Sequence, residues 1–126
     1  MSLLETSIFF NDGKGNFIRG TLPIEVQLSP VYAADVNDYN GDAKLDILLG
    51  GNLYNVKPEV GRYDASFGSF LSGNGSGAFS YIPPKSTGMK LEGEIRDIIE
   101  IETISGKILV IASCNDQLQV FKVLNN

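Results

Sequence analysis

Asp12-Gly13-Lys14-Gly15-Asn16-Phe17 returns 62 positions later as Asn74-Gly75-Ser76-Gly77-Ala78-Phe79, and this echo decides how the chain is read. Glycine enters the φ > 0 region without a Cβ clash, and Asx side chains close local turns, so both copies are turn chemistry. A second echo agrees within one residue: Ile47-Leu48-Leu49-Gly50-Gly51-Asn52 aligns with Val110-Ile111-Ala112-Ser113-Cys114-Asn115 at a spacing of 63. The repeating unit is therefore about 62 residues, long enough for four short strands. Such a unit cannot bury both faces of its sheet alone and must stack on neighbours.

The segments between the turns are short, apolar and β-branched. Ser7 to Phe10, Val31 to Val36, Asp46 to Leu49, Phe67 to Leu71, Phe79 to Ile82, Ile95 to Ile101, Lys107 to Ala112 and Gln117 to Phe121 read as strands. Glycine, 14 of 126 residues, punctuates them, and no stretch of ten or more residues has a helical period. Glu92 to Ile101 comes nearest, but its isoleucines favour a strand. The expectation is an all-β fold of consecutive four-stranded antiparallel blades, a fragment of a β-propeller. Residues 1–28 would end a preceding blade, 29–90 form a full one, and 91–126 part of the next. Closed propellers need ~4 to 8 blades, so either the chain is a piece of a longer protein or copies associate through open blade edges.

Composition removes several chemistries. The chain has 10 Lys and Arg against 15 Asp and Glu, a net charge of −5, and no His. A Ser-His-Asp triad, a Cys-His dyad and a His-ligated metal site all need imidazole. An acidic chain repels phosphates, so nucleic acid is not an expected partner. The run Ile108 to Ala112 is far shorter than the ~20 residues that cross a bilayer, so no membrane insertion is expected. Met1 to Glu5 lacks a basic n-region and an apolar h-region, so any export signal lies outside this chain.

Four of the eight aspartates fall between Asp35 and Asp46. In Asp38-Tyr39-Asn40-Gly41-Asp42-Ala43-Lys44-Leu45-Asp46, side-chain oxygens stand at positions one, three, five and nine, and Lys44 at position seven can offer its carbonyl. Calcium takes ~6 to 8 oxygens, and alternate residues of a tight loop turn theirs inward. Without a cation, Asp38, Asp42 and Asp46 crowd negative charge. An EF-hand would need Gly at position six and Glu at twelve, where this chain has Ala43 and Leu49. The opposing reading is that these residues only close Asx turns between two strands.

Asn40 to Gly51, preceded by Asp38-Tyr39, resembles the calcium loop and following strand of FG-GAP/VCBS repeats, the blades of integrin-α-type propellers. Phe9 to Phe17 and Phe70 to Phe79 are similar to the turn-containing hairpins of bacterial VCBS-repeat proteins. The resemblance implies a calcium-binding module for recognition or adhesion, extracellular or at the cell surface, with a protein or carbohydrate partner. It implies side-chain ligation by Asp38, Asn40, Asp42 and Asp46, backbone ligation by Lys44, and structural Ca²⁺. Ala43 replaces the usual Gly; if φ > 0 is needed there, Ala is strained. Glu102 to Ile108 lacks the carboxylate series, so one calcium site is expected. Two other readings remain: an accessory domain of a larger secreted enzyme, and a self-associating structural module.

Arg62-Tyr63-Asp64 joins a cation, an aromatic and a carboxylate in a connection that could bind a protein or glycan, or simply pin its own loop. Gly73 to Gly77 lacks the Gly-Lys-Ser/Thr ending of a phosphate loop. Cys114 follows an apolar run and has no His, so it is expected as a buried packing residue. Glu100 and Glu102 share strand parity and are expected on one solvated face. No acid-base or nucleophile set is complete, and no enzymatic activity is expected.

Overall fold

The short runs between turns become antiparallel strands in the computed structural model, which describes residues 5–28, 30–51, 68–91 and 93–124. β1 (Ile8–Asn11) and β2 (Phe17–Gly20) form a hairpin; β3 (Val31–Asn37), β4 (Asp46–Gly51), β5 (Ser69–Gly73) and β6 (Phe79–Ile82) form a four-stranded meander. A three-stranded meander follows, made of β7 (Ile95–Thr103), β8 (Gly106–Ser113) and β9 (Gln119–Lys122). Every pair is antiparallel, so the all-β expectation holds. The only helical pieces among the described residues are a 3₁₀ turn, Ile24–Leu28, and one α-turn, α1 (Pro84–Thr87). Pro83 and Pro84 end β6 because neither can donate to a ladder. β2 completes a hairpin whose second half the strand reading passed over, since Phe17-Ile18-Arg19-Gly20 has no alternation to mark it.

All six residues of β4 are buried, as its unbroken Ile47-Leu48-Leu49 run requires. Leu48 joins Ala33, Tyr39, Leu91, Ile95, Ile98, Leu109 and Ile111 in a cluster between the two meanders. Ile47 and Leu49 point the opposite way and join Leu71 and Val26, with Ile8, Leu22 and Phe79 packed against them. The central meander is thus covered on both faces, by the hairpin side and by β7–β9. Each fully buried Leu or Ile contributes roughly 1.5–3 kcal/mol through area removed from water.

The repeat is visible atom by atom. In the hairpin turn, the Asp12 N–H donates to the Asn16 carbonyl at 3.0 Å; in its copy, the Asn74 N–H donates to Ala78 at 3.0 Å. Asp12 Oδ1 accepts the N–H groups of Lys14 and Asn16, and Asn74 Oδ1 those of Ser76 and Ala78. Gly15 and Gly77 share φ 92°, a conformation that needs glycine.

The two meanders also share a bulge, between Val31 and Ala33 in one and between Ile95 and Asp97 in the other. Superposing the bulges pairs Gly51 with Ser113 and Leu48 with Val110, because Val31 faces Gly51 and Ile95 faces Ser113. The spacing in β4 and β8 is therefore 62, not the 63 read from the sequence. A one-residue slip exchanges the two faces of a strand, so the correction matters. At 62, Ile47 and Leu49 match Leu109 and Ile111, and all four face the preceding sheet. Apolar identity alone could not choose, because both registers match hydrophobic residues. The bulged residues meet: the Arg96 guanidinium lies 4.4 Å from the Tyr32 ring centroid.

Cys114 is exposed, contrary to expectation. β8 ends at Ser113, and Asn115 takes φ 53° in the turn. The Cys114 N–H donates to the Glu94 carbonyl at 2.9 Å, which holds the backbone while the thiol faces solvent.

Candidate metal centre

The loop from Asp38 to Asp46 joins β3 to β4, and its oxygens are already turned inward by the backbone they cap. Asp38 Oδ1 accepts the N–H of Gly41 at 2.7 Å and of Asp42 at 3.2 Å, and Oδ2 accepts that of Ala43 at 2.8 Å. Asn40 Oδ1 accepts the Asp42 N–H at 3.0 Å, and Asp42 Oδ1 the Lys44 N–H at 2.9 Å. These are nested Asx turns, each bending the chain around the residue before. Gly41 takes φ 78° and Ala43 φ 64°, so the position where the resemblance expects Gly does sit in the left-handed region.

Asp46 closes the loop from inside. Its side chain is fully buried, and its two oxygens accept the N–H of Tyr39 at 3.1 Å and of Gly73 at 2.9 Å. Gly73 must be glycine, because a Cβ there would lie 2.0 Å from the Leu45 carbonyl oxygen. One carboxylate thus ties the start of the loop, its end and strand β5 together.

Tyr39 carries the loop into the core. It is buried, meets Phe70 edge to face at 5.8 Å between centroids, and donates its hydroxyl to Asp35 Oδ2 in a short hydrogen bond. Burial, and then the Asp35 carboxylate with Glu100 and Asp46 further off, pushes its phenol well above the usual range. β7 and β8 contribute Glu100 and Lys107, joined at 3.0 Å. The hydrogen bond to Glu100 raises the Lys107 ammonium, and the charges of Glu102 and Asp38 add to it. Glu100 is not on a solvated face: its side chain is 10% exposed and Oε2 is buried without a hydrogen-bond partner. It shares the parity of Glu102, as expected, but lies deeper under β3, while Glu102 remains exposed.

Asp38, Asn40, Asp42, Lys44 and Asp46 therefore lie on one loop. Asn40 through Lys44 are exposed, Asp38 is half-buried and Asp46 is inside. The donor set is all oxygen, as a hard cation requires, and each carboxylate oxygen offers two lone pairs. The hydrogen bonds above leave acceptor capacity on Asp42, Asp46 and Asn40. In this conformation no three acidic, Cys or His side chains among the described residues converge closely enough to hold a metal. Ligation would draw Asp42 inward, away from the Lys44 ammonium at 3.8 Å. Arg62, Tyr63 and Asp64 lie outside the described residues.

The sequence did not single out Asp35, the Glu100–Lys107 pair or Tyr39 as neighbours of the loop. All come from parity and sheet stacking rather than from a local motif. The corresponding connection of the second meander is the tight turn at Ile104-Ser105, which has no room for a comparable loop. Neither a family model, nor a curated protein sequence, nor a solved structure matches this chain.

Proposed function

We propose that the chain is a non-catalytic calcium-binding module of FG-GAP/VCBS-like blades that serves recognition or adhesion outside the cell. In this reading β1–β2 are the last two strands of one blade, β3–β6 a complete blade and β7–β9 the first three strands of the next. Support comes from the shared turn, the shared bulge and the common facing of Ile47, Leu49, Leu109 and Ile111. The observation that carries the metal reading is the loop itself: alternate oxygens on Asp38, Asn40 and Asp42, preset by their own turns and anchored by buried Asp46.

Side-chain oxygens of Asp38, Asn40, Asp42 and Asp46, with the Lys44 carbonyl, would hold Ca²⁺. The ion would neutralise the carboxylates and lock the loop. Tyr39 and Asp46 then transmit that rigidity to both meanders. Beside the loop, a cavity of about 240 Å³ lined by Tyr39, Asn40, Phe70, Met89 and Leu109 provides an apolar surface for a protein or glycan to approach.

Thermal melting with Ca²⁺ and with chelator, on wild type and Asp42→Ala, tests this. At ~100 times the dissociation constant, Ca²⁺ adds ~2.7 kcal/mol to wild type. Asp42→Ala should lose most of that gain while melting like wild type in chelator. Identical wild-type melting temperatures with and without Ca²⁺ would leave the loop as Asx turns alone.

A further inference from the structure

The second meander matches the first strand for strand, except that one strand is missing. β7, β8 and β9 correspond to β3, β4 and β5, and no strand among the described residues pairs with the free side of β9 as β6 pairs with β5. Ile47 faces Leu71, and its counterpart Leu109 faces Phe121, so Leu71 corresponds to Phe121 and Phe70 to Val120.

The backbone agrees. The Val123 N–H donates to the Lys107 carbonyl at 2.9 Å. By the two-residue alternation of an antiparallel ladder, Val120 and Lys122 then turn their N–H and C=O groups away from β8. In the first meander the Asn74 N–H bonds Ala78, so by the same alternation Phe70 and Ser72, the counterparts of Val120 and Lys122, turn theirs toward β6. Side chains tell the same story: Leu71 has no exposed surface, whereas Phe121 is only partly buried and Val120 is 58% exposed.

We propose that the free edge of β9 binds an extended peptide segment in trans, antiparallel, in the register that β6 uses on β5. That register sets the chemistry of the partner. Phe70 faces Ile82, Leu71 faces Tyr81 and Ser72 faces Ser80, so Val120 would face a branched aliphatic residue and Phe121 an aromatic one. Lys122, the one charged residue of β9, would face the position that Ser80 occupies on β6. An acid at that position complements it; a cation opposes it. Main-chain hydrogen bonds supply affinity and the alternating side chains supply specificity. The inference does not involve the cation loop.

The probe is a synthetic peptide covering residues 77–82 with Ser80→Glu, titrated into ¹⁵N-labelled protein with amide hydrogen exchange as readout. Val120 and Lys122 amides should slow by about tenfold or more at saturation, while the Phe121 amide, already paired with β8, changes little. The same peptide with Ser80→Lys should bind about tenfold more weakly at low salt, and Lys122→Glu should reverse that preference. Val120→Pro removes an outward N–H that the β8 ladder does not use, so it should keep the circular dichroism spectrum and lose the peptide. Unchanged exchange at Val120 and Lys122, equal binding by folded Val120→Pro, or slowing that rises with protein concentration in the absence of peptide would overturn the proposal. The last outcome would mean that a second copy fills the edge.

Discussion

Ala43 is the residue at which the loop conformation and the side chain conflict most directly. It holds φ 64°, where a Cβ crowds the following carbonyl and a non-glycine residue loses roughly 1–2 kcal/mol. Ala43→Gly removes that strain. Against this, glycine gives the unfolded chain more conformations, worth about 0.4–1 kcal/mol in the opposite direction. The net expectation is a gain of about 0.5–1 kcal/mol, or ~2–5 °C in melting temperature for a chain of this length. Thermal melting by circular dichroism in chelator measures it without any contribution from a cation. Asn115 is the internal control: it also has φ above zero, at 53°, but Asn tolerates that region, so Asn115→Gly should shift the melt far less than Ala43→Gly. Ala43→Val should move it the other way. A melt for Ala43→Gly at or below wild type would refute the strain argument. If Ca²⁺ binds the loop in this same bent form, Ala43→Gly raises the melts with and without the ion by similar amounts. A gain confined to the calcium-bound melt would show instead that Ala43 enters the left-handed region only on binding.

Asp46→Ala strips acceptors from the buried N–H groups of Tyr39 and Gly73 and should destabilise by about 2–4 kcal/mol even in chelator; an unchanged denaturation midpoint would contradict the tie we assign to Asp46. Acid should loosen the turns. The Asp12 carboxyl is held below its ordinary value by Asn16 and the backbone N–H groups of Lys14 and Asn16. At Asp38 desolvation pushes upward but is outweighed by the N–H groups of Ala43, Gly41 and Asp42. Both folded values lie below the unfolded one, so their stabilisation is present above about pH 4 and is lost as pH falls through the depressed values. Melting temperature in chelator should drop between about pH 5 and pH 2, and the Asp12→Asn/Asp38→Asn pair should flatten that slope. An unaltered slope would remove these two groups from the account.

Much of the fold is legible in the chain because its signals are local. Alternate glycines after Asp12 and Asn74 can only be turns, and Ile47-Leu48-Leu49 can only be a strand covered on both sides. The loop oxygens are equally legible, since Asp38, Asn40 and Asp42 act on backbone two to five residues away. Glu100 and Cys114 were read less well, for opposite reasons. Strand parity says which face a residue takes but not what covers it, and β3 covers Glu100. An apolar run says what is buried but not where the strand stops, and β8 stops one residue before Cys114.

The sequence by itself determined the turns, the strand class, the repeat and the list of candidate oxygens, because each depends on a few neighbouring residues and their backbone preferences. Only the tertiary structure decided the repeat register, the burial of Asp46 and Tyr39, the approach of Glu100 and Lys107 to the loop, and the open edge at β9. Those depend on which sheet face meets which. A shift of one residue exchanges the faces without altering the apolar pattern, so the choice rests with the bulges and the packing between sheets.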